Sequence, residues 1–457
     1  MQIPLNSADM GILALGSMGE CARHHWILDI KGKVERDLLE AALLSTLSNY
    51  HIMKSKLYIR RFRPWRRSVE ALPEMIVQYL DLDESQNIDS TKETQLKEQY
   101  GKVIADWINK PFALGEELPV RVLLVRKKQD EFGIIFSFAH SSVDGIRALR
   151  FIQRALESYG HELSTEPYLP EYICLRRHDE LFDFASKRRA EIKGFYRKIL
   201  FSFFYRFLIE PIRPPARIFH DRSGTSTEIS YCIGTLDGTE LQRIQSKTNL
   251  AQVKLNDFLL AACFRTIDAW NKLHGKSSKK IRIMVPVDLG PYDFRDLISN
   301  QIGFVSLSLM PRDRAEPAVL LRKVSVKMSK MLRDGIAFWL VYFCGLAHYL
   351  PLPVTKAIAR FLILTRIYID TVVLSNLGMI GPENGEKYSL GASRIVDMII
   401  VMPVVTPQGL SILIYTYRNL LYVSIAYKAS LFSKEKAQMF LDSYLAELRN
   451  YPVSGIV

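Results

Sequence analysis

The chain has 457 residues, of which 48% are hydrophobic and 24% charged. That length can bury two cores, and that balance excludes an intrinsically disordered polymer. A formal net charge of +13 raises the question of nucleic acid, but no helix-turn-helix, zinc-finger or RNA-binding aromatic signature accompanies it, and no nucleic-acid partner is expected.

Five cysteines (Cys21, Cys174, Cys232, Cys263 and Cys344) are scattered, odd in number and without a CxxC pair. Neither a disulfide framework nor a thiolate zinc site is suggested, and a reducing compartment fits. The N-terminus lacks a basic region ahead of its apolar residues and places Asp9 among them, which argues against a secretory signal. The expected location is the cytoplasm, peripheral to the inner membrane face if the connector described below docks on lipid.

From the start of the chain, HHWILDI (24–30) reads as a strand, and VERDLLEAALLSTLSNY (34–50) has apolar residues at helical spacing. HIMKSKLYIRRF returns to a strand. It runs into RRFRPWRR (60–67), readable as a solvated basic face. MIVQYLDL and the charged segment up to Trp107 are expected to be helices around a loop. LPVRVLLVRK and EFGIIFSFAH then form two strands separated by the turn signal KKQDE.

The second of those strands ends at His140, followed by Asp144, Gly145 and an amphipathic helix, giving the pattern HxxxDG. A histidine delivered at a strand end with a ring nitrogen free is well suited to removing a proton near neutral pH. A carboxylate four residues on can fix the turn, and a glycine leaves room beside the ring. The competing reading is a histidine satisfied at a strand end, since this spacing also arises by chance.

A proline-rich, basic and aromatic connector occupies 162–227. Its part at 187–217 mixes Lys and Arg with Phe201, Phe203, Phe204, Tyr205, Phe207 and Leu208. Such residues are too apolar for a plain exposed face and call for burial in protein, lipid or a lipid-like substrate. An anionic membrane surface is therefore a candidate partner. Beyond it, EISYCIGTLDG reads as a strand followed by a helix ending near Asn249. NDFLLAACFRTIDAWNKLHG is a helix for which Asn256 and Gly275 are candidate caps. IRIMVPVDLG, IGFVSLSLM, IDTVVLSNLG, IVDMIIVMPVV, LSILIYTYRN and LLYVSIAYK are strand candidates, and the chain closes on an amphipathic helix. IAFWLVYFCGLAHYL (336–350) is the most apolar run, yet it is shorter than the ~20 residues of a spanning helix and ends at a proline pair, which suits a buried helical hairpin.

Several of these stretches resemble, in order, the condensation-domain superfamily of acyltransferases. They are ILDIKGKVERDLLEAALLSTLSNYHIMKSKL, INKPFALGEELPVRVLLV, AHSSVDG, VKLNDFLLAA, IMVPVDLG, NQIGF, VVLSNLGMIG and GLSILIYTYRNLLYVSIAY. The chain is similar to stand-alone members: polyketide-associated acyltransferases, alcohol acetyltransferases and wax-ester synthase/diacylglycerol acyltransferases. The resemblance implies an α/β (α+β) fold of two chloramphenicol-acetyltransferase-like subdomains with mixed sheets and an active-site channel between them. Their expected limits are 1–161 and 228–457, joined by the connector 162–227.

The resemblance further implies acyl transfer from a thioester to a hydroxyl or amine of a lipid-like or secondary-metabolite acceptor. The donor would be acyl-CoA or a carrier-protein phosphopantetheine thioester, a co-substrate rather than a bound cofactor. His140 would be the general base, Asp144 a structural residue of the loop, and Gly145 the residue that keeps the channel open. Ser375, Asn376, Asn300 and Gly303 are candidates for oxyanion or substrate contact, although SNLG also reads as a turn. Asn256 and Asp257 match a family pair that simple helix capping also explains.

The pattern departs from the family in three ways. Ala139 replaces a first histidine. Gly290 stands where many relatives place an arginine that pairs with the motif aspartate, leaving Arg282 and Arg295 as candidate partners of Asp144. No carrier-protein serine motif or adenylation segment is attached, as expected of a stand-alone enzyme. No GxSxG elbow, HExxH or phosphate loop supports nucleophilic, metal or nucleotide chemistry, and no metal is expected. His24, His25 and His348 read as structural. A lipid- or carrier-binding protein that keeps the fold without turnover is the alternative, supported by the missing arginine and the basic aromatic connector.

Overall fold

The computed structural model describes residues 2–15, 22–82, 90–162, 187, 191–209, 212–276, 279–290, 298–347, 350–364, 370–381, 389–404 and 408–452. Two six-stranded mixed sheets dominate it. The first contains β2 (Arg23–Lys31), β5 (Val77–Asp81), β6 (Val120–Lys128) and β7 (Glu131–Ala139). The second contains β8 (Ile229–Leu236), β9 (Ile281–Asp288), β10 (Ile302–Leu309), β11 (Val372–Met379), β14 (Leu410–Tyr417) and β15 (Leu420–Lys428). A small sheet joins β1 (Gln2–Pro4), β3 (Ser55–Arg60) and β4 (Arg63–Ser68).

Helices α2 (Arg36–Asn49) and α4 (Gly145–Glu162) pack together over the first sheet. Their buried Leu39, Leu43, Leu47, Phe151 and Ile152 join Leu28, Ile134 and Phe136 in one core. Helices α7 (Leu255–Leu273), α8 (Pro317–Arg333) and α11 (Lys434–Asn450) cover the second sheet in the same way. Every residue of β7 after Glu131 is buried, because this strand is central in its sheet and both of its faces are covered.

The sheets do not follow the sequence halves strictly. β12 (Ser389–Leu390) and β13 (Ser393–Val401) lie within the second half of the chain but complete the first sheet, with β13 antiparallel to β2. The second sheet reaches across to β13 with side chains: Tyr415 Oη donates to Met398 O at 2.8 Å and Ser424 Oγ to Ile400 O at 2.7 Å. Carbonyls buried between the layers are thereby satisfied without extending either ladder.

Most expected elements are present within a few residues. MIVQYLDL is an exception: it forms β5, parallel to β6, instead of a helix. A short apolar run carries no decisive period, and here sheet pairing decides. RRFRPWRR is β4 with the hairpin turn before it, and Arg66 within it is buried rather than solvated. Asn256 is not the cap of α7, whose N-cap position is Lys254. The apolar run after Gly335 folds as a single 3-10 turn (Ile336–Phe338) and α9 (Trp339–Ala347), followed by α10 (Leu352–Leu364). Among the described residues no helix is long and apolar enough to cross a membrane. Helix α1 (Ser7–Leu15), which the sequence reading did not anticipate, packs on α9 and α10.

Candidate active site

β7 delivers His140 to a junction whose geometry is fixed by the backbone. His140 N donates to Ala22 O at 2.8 Å and Ser142 N to Ala139 O at 2.9 Å, so the chain turns sharply and enters α4. Asp144 is the N-cap of that helix: its Oδ1 accepts from Arg147 N at 3.0 Å. Its Oδ2 accepts from Gln301 N at 2.8 Å, which ties the junction to the loop before β10.

The His140 tautomer follows from its partner. Nδ1 lies 3.1 Å from Val143 O, and a carbonyl can only accept, so Nδ1 carries the proton and Nε2 the lone pair. His24 shares that carbonyl through Nε2 at 3.2 Å, while its Nδ1 accepts from the Trp26 indole at 3.2 Å. The two imidazoles meet edge to face with centroids 5.3 Å apart. Burial lowers the pKa of His140 below 6.5, against the opposing pull of the Val143 carbonyl and Asp144. Burial, with His140 beside it, lowers His24 to about 3. Both rings are neutral at physiological pH, and only His140 has a ring nitrogen available to take a proton.

His140 lines a cavity of about 250 Å³ between the two sheets. Most of its wall is apolar, with Trp26, Met284, Val373, Ile400, Met402 and Leu413 contributing. The polar groups on it include His24, Asp144, Arg147, Asp288, Gln301, Ser375 and Asn376. An apolar chamber with a few convergent polar groups suits a largely apolar small molecule. Among the described residues no cluster of His, Cys, Asp or Glu could hold a metal ion.

The residues singled out in the sequence fall into three groups. His140, Asp144, Gly145, Ser375 and Asn376 all line the cavity. Ser375 precedes a bulge in β11, and Asn376 Oδ1 accepts from Gly378 N at 2.9 Å, so the turn reading of SNLG holds for that atom. A Cβ added at Gly145 would lie 3.4 Å from Leu377, against the cavity wall.

Asn300 and Gly303 are not on the cavity wall. Asn300 Nδ2 donates to His140 O and to Asp9 Oδ1, both at 2.7 Å, so it braces the junction from behind. Asp9 in turn pairs with buried Arg66 at 3.6 Å, and Arg66 donates to Ser141 O at 2.5 Å. Gly303 packs in β10, where an added Cβ would overlap Ala337 O.

Arg282 does not partner Asp144. It forms a buried pair with Asp370 at 2.5 Å, shared with Arg206 at 3.3 Å. Burial alone would raise the Asp370 carboxyl, but the two guanidiniums hold it below the usual range. Arg295 and His348 lie outside the described residues. The cation beside Asp144 is Arg147, with Nη1 3.6 Å from Oδ2. Arg147 also donates to Asp288 at 2.5 Å and to Gln301 Oε1 at 3.0 Å. The sequence signal that could have found it is the i, i+3 spacing from Asp144 on one helical turn.

Residues 298–449 match the WS/DGAT C-terminal domain family. No curated protein matches the chain in sequence. Among solved structures, the first condensation domain of the calcium-dependent antibiotic synthetase, in complex with a substrate analogue, is 12% identical with a TM-score of 0.75, covering 100% of this chain and 97% of the other. A variant starter condensation domain of rhizomide synthetase, in complex with C8-CoA and Leu-SNAC, is 12% identical with a TM-score of 0.67, covering 99% and 96%. The SgcC5 protein from Streptomyces globisporus is 15% identical with a TM-score of 0.67, covering 98% of both chains. The resemblance read from the ordered motifs is borne out, and the chain has the two-lobed condensation-domain fold, with a C-terminal third that matches the WS/DGAT C-terminal domain.

Proposed function

We propose that the protein transfers an acyl group from a thioester, acyl-CoA or carrier-bound, to a hydroxyl or amine of a lipid-like or secondary-metabolite acceptor. The observation that carries this reading is His140 on the wall of an apolar cavity, with its proton committed to Val143 O and its Nε2 lone pair available. A thioester is already activated, so the remaining needs are a base, close positioning and a donor for the tetrahedral oxyanion. Nε2 takes the acceptor proton as the acceptor oxygen or nitrogen attacks the carbonyl. It returns that proton to the thiolate when the C–S bond breaks. Ser375, whose hydroxyl makes no hydrogen bond among the described residues, is the candidate oxyanion donor. The relative crystallised with C8-CoA supports a thioester donor.

The acceptor class is read from the surface as well. Phe201, Phe204 and Leu208, on α5 (Phe195–Phe204) and the turn after it, are exposed, as are Phe361 on α10 and Phe62 at the β3–β4 hairpin tip beside Arg60, Arg61 and Arg63. Aromatic side chains among arginines suit peripheral docking on an anionic lipid surface, from which a lipid-like acceptor would be drawn.

The test is to incubate purified protein with a panel of acyl-CoAs and a thiol reagent, with and without a lipid extract. Acceptor-dependent thiol release that is lost in His140→Ala is the expected result; thiol release unchanged in that variant would refute the mechanism.

A further inference from the structure

We propose that Arg147 is a positioning residue that clamps the two halves together across the cavity and neutralises Asp144 beside His140, and that Gly290 is the seat its guanidinium requires. Arg147 belongs to α4 of the first half, whereas Asp288, Gly290 and Gln301 belong to the second. Its Nη1 reaches Asp288 Oδ1 at 2.5 Å and its Nη2 reaches Gln301 Oε1 at 3.0 Å. The side chain is 1% exposed although Asp288 is 38% exposed, so the charge is buried in the clamp and its outer partner faces solvent.

Gly290 is part of the same device. Its N–H donates to Asp288 Oδ1 at 3.0 Å, which orients the carboxylate toward Arg147. A Cβ there would overlap both Arg147 Nη2 and Gln301 Oε1, the two atoms of one clamp bond. Any side chain at 290 therefore expels the guanidinium.

The orientation of Asp144 does not depend on the Arg147 side chain, since backbone N–H groups of Arg147 and Gln301 hold both of its oxygens. What the guanidinium adds is charge. The groups around His140 are neutral His24 on β2, Asp144 and Arg147 at the start of α4, Asp288 behind Arg147, and the Asp9–Arg66 pair behind Asn300. Removing Arg147 leaves Asp144 uncompensated at the ring, which favours the imidazolium.

The inference depends on the proposed acyl transfer only for the role of His140, and it is read without turnover. His140 titration is followed by NMR on protein labelled at the histidine ring carbons, assigned by His140→Ala. In Arg147→Gln the midpoint is expected to rise by roughly one pH unit. Gly290→Ala should move it in the same direction, and should add nothing in the Arg147→Gln background, because coupled sites are not additive. Arg147→Lys should restore most of the wild-type midpoint. An unchanged midpoint in a folded Arg147→Gln protein, or an additive Gly290→Ala effect, would overturn the proposal. If Arg147→Gln does not fold, Gly290→Ala alone decides, and a wild-type midpoint there overturns it. A silent acyl-transfer assay would refute the proposed function and leave this titration standing.

Discussion

The β7–α4 junction and helix α5 both combine aromatic and basic residues, yet they are held in opposite ways. At the junction Arg66 and Arg147 are buried against carboxylates, and the loop carbonyls of His140, Ser141 and Val143 accept side-chain donors. On α5 only Phe195 is buried, while Tyr196, Leu200, Phe201 and Phe204 face outward. The segment is anchored instead by the pair between Arg206 and Asp370. A region whose loop carbonyls are held by side-chain donors is built for position, and one that leaves apolar area in solvent is built for contact.

The largest effect should come from the junction. His140→Ala is expected to lower turnover by roughly 10²- to 10⁴-fold with the melting temperature unchanged, as read by steady-state kinetics beside calorimetry. A matching loss of stability would move His140 from chemistry to scaffolding.

Asp144→Asn should reduce activity and stability together. The amide can still cap α4, but it turns an NH2 toward Gln301 N and leaves Arg147 with Asp288 as its one close carboxylate among the described residues, costing about 1–3 kcal/mol in denaturant unfolding. An inactive variant with wild-type unfolding would place Asp144 in the chemistry.

The buried histidines set an acid limit. His24 is depressed to about 3 from 6.5 because burial excludes its charged form. The unfolded chain therefore takes up a proton that the folded chain refuses, and stability is present above about pH 6.5 and lost progressively as pH falls toward 3. The slope cannot exceed about 1.4 kcal/mol per pH unit for this one proton. His24→Gln should flatten it, measurable by urea unfolding between pH 7 and 4.

The smallest effect on stability is expected on α5. Phe204→Asp, at a position 51% exposed, should change unfolding by no more than about 0.5 kcal/mol. It should nevertheless reduce co-sedimentation with anionic vesicles at low salt. Failure of the wild type to sediment with them would remove the membrane reading without touching acyl transfer.

The contrast also explains what the sequence discloses. His140, Asp144 and Gly145 are legible because strand end, cap and helix start are consecutive, and the alternating strands and helices fix the fold class. Arg147 was not legible as the partner of Asp144. Its role depends on Asp288 arriving from β9 and Gln301 from the loop before β10, and on the missing Cβ of Gly290. Arg282 was a poor guide for the same reason: adjacency to the VPVDL strand says nothing of Asp370, which is 88 residues away. Asn300 carries a useful amide, but only α1 and Asp9 reveal that it faces the back of the junction. The 389–401 segment reads as an ordinary strand region, with no local mark of the sheet it joins.

That segment sets how the molecule can be taken apart. A protease cut in the connector would leave an N-terminal piece whose sheet lacks β12 and β13, with the edge of β2 stripped of its pairing from His25 to Lys31. The other piece would carry β13 as a strand without its sheet, still attached through Tyr415 and Ser424. Neither fragment is a finished unit, and an open edge of that length invites self-association. Nicked protein should stay together until denatured, and the two pieces should regain the native shape only when refolded in each other's presence.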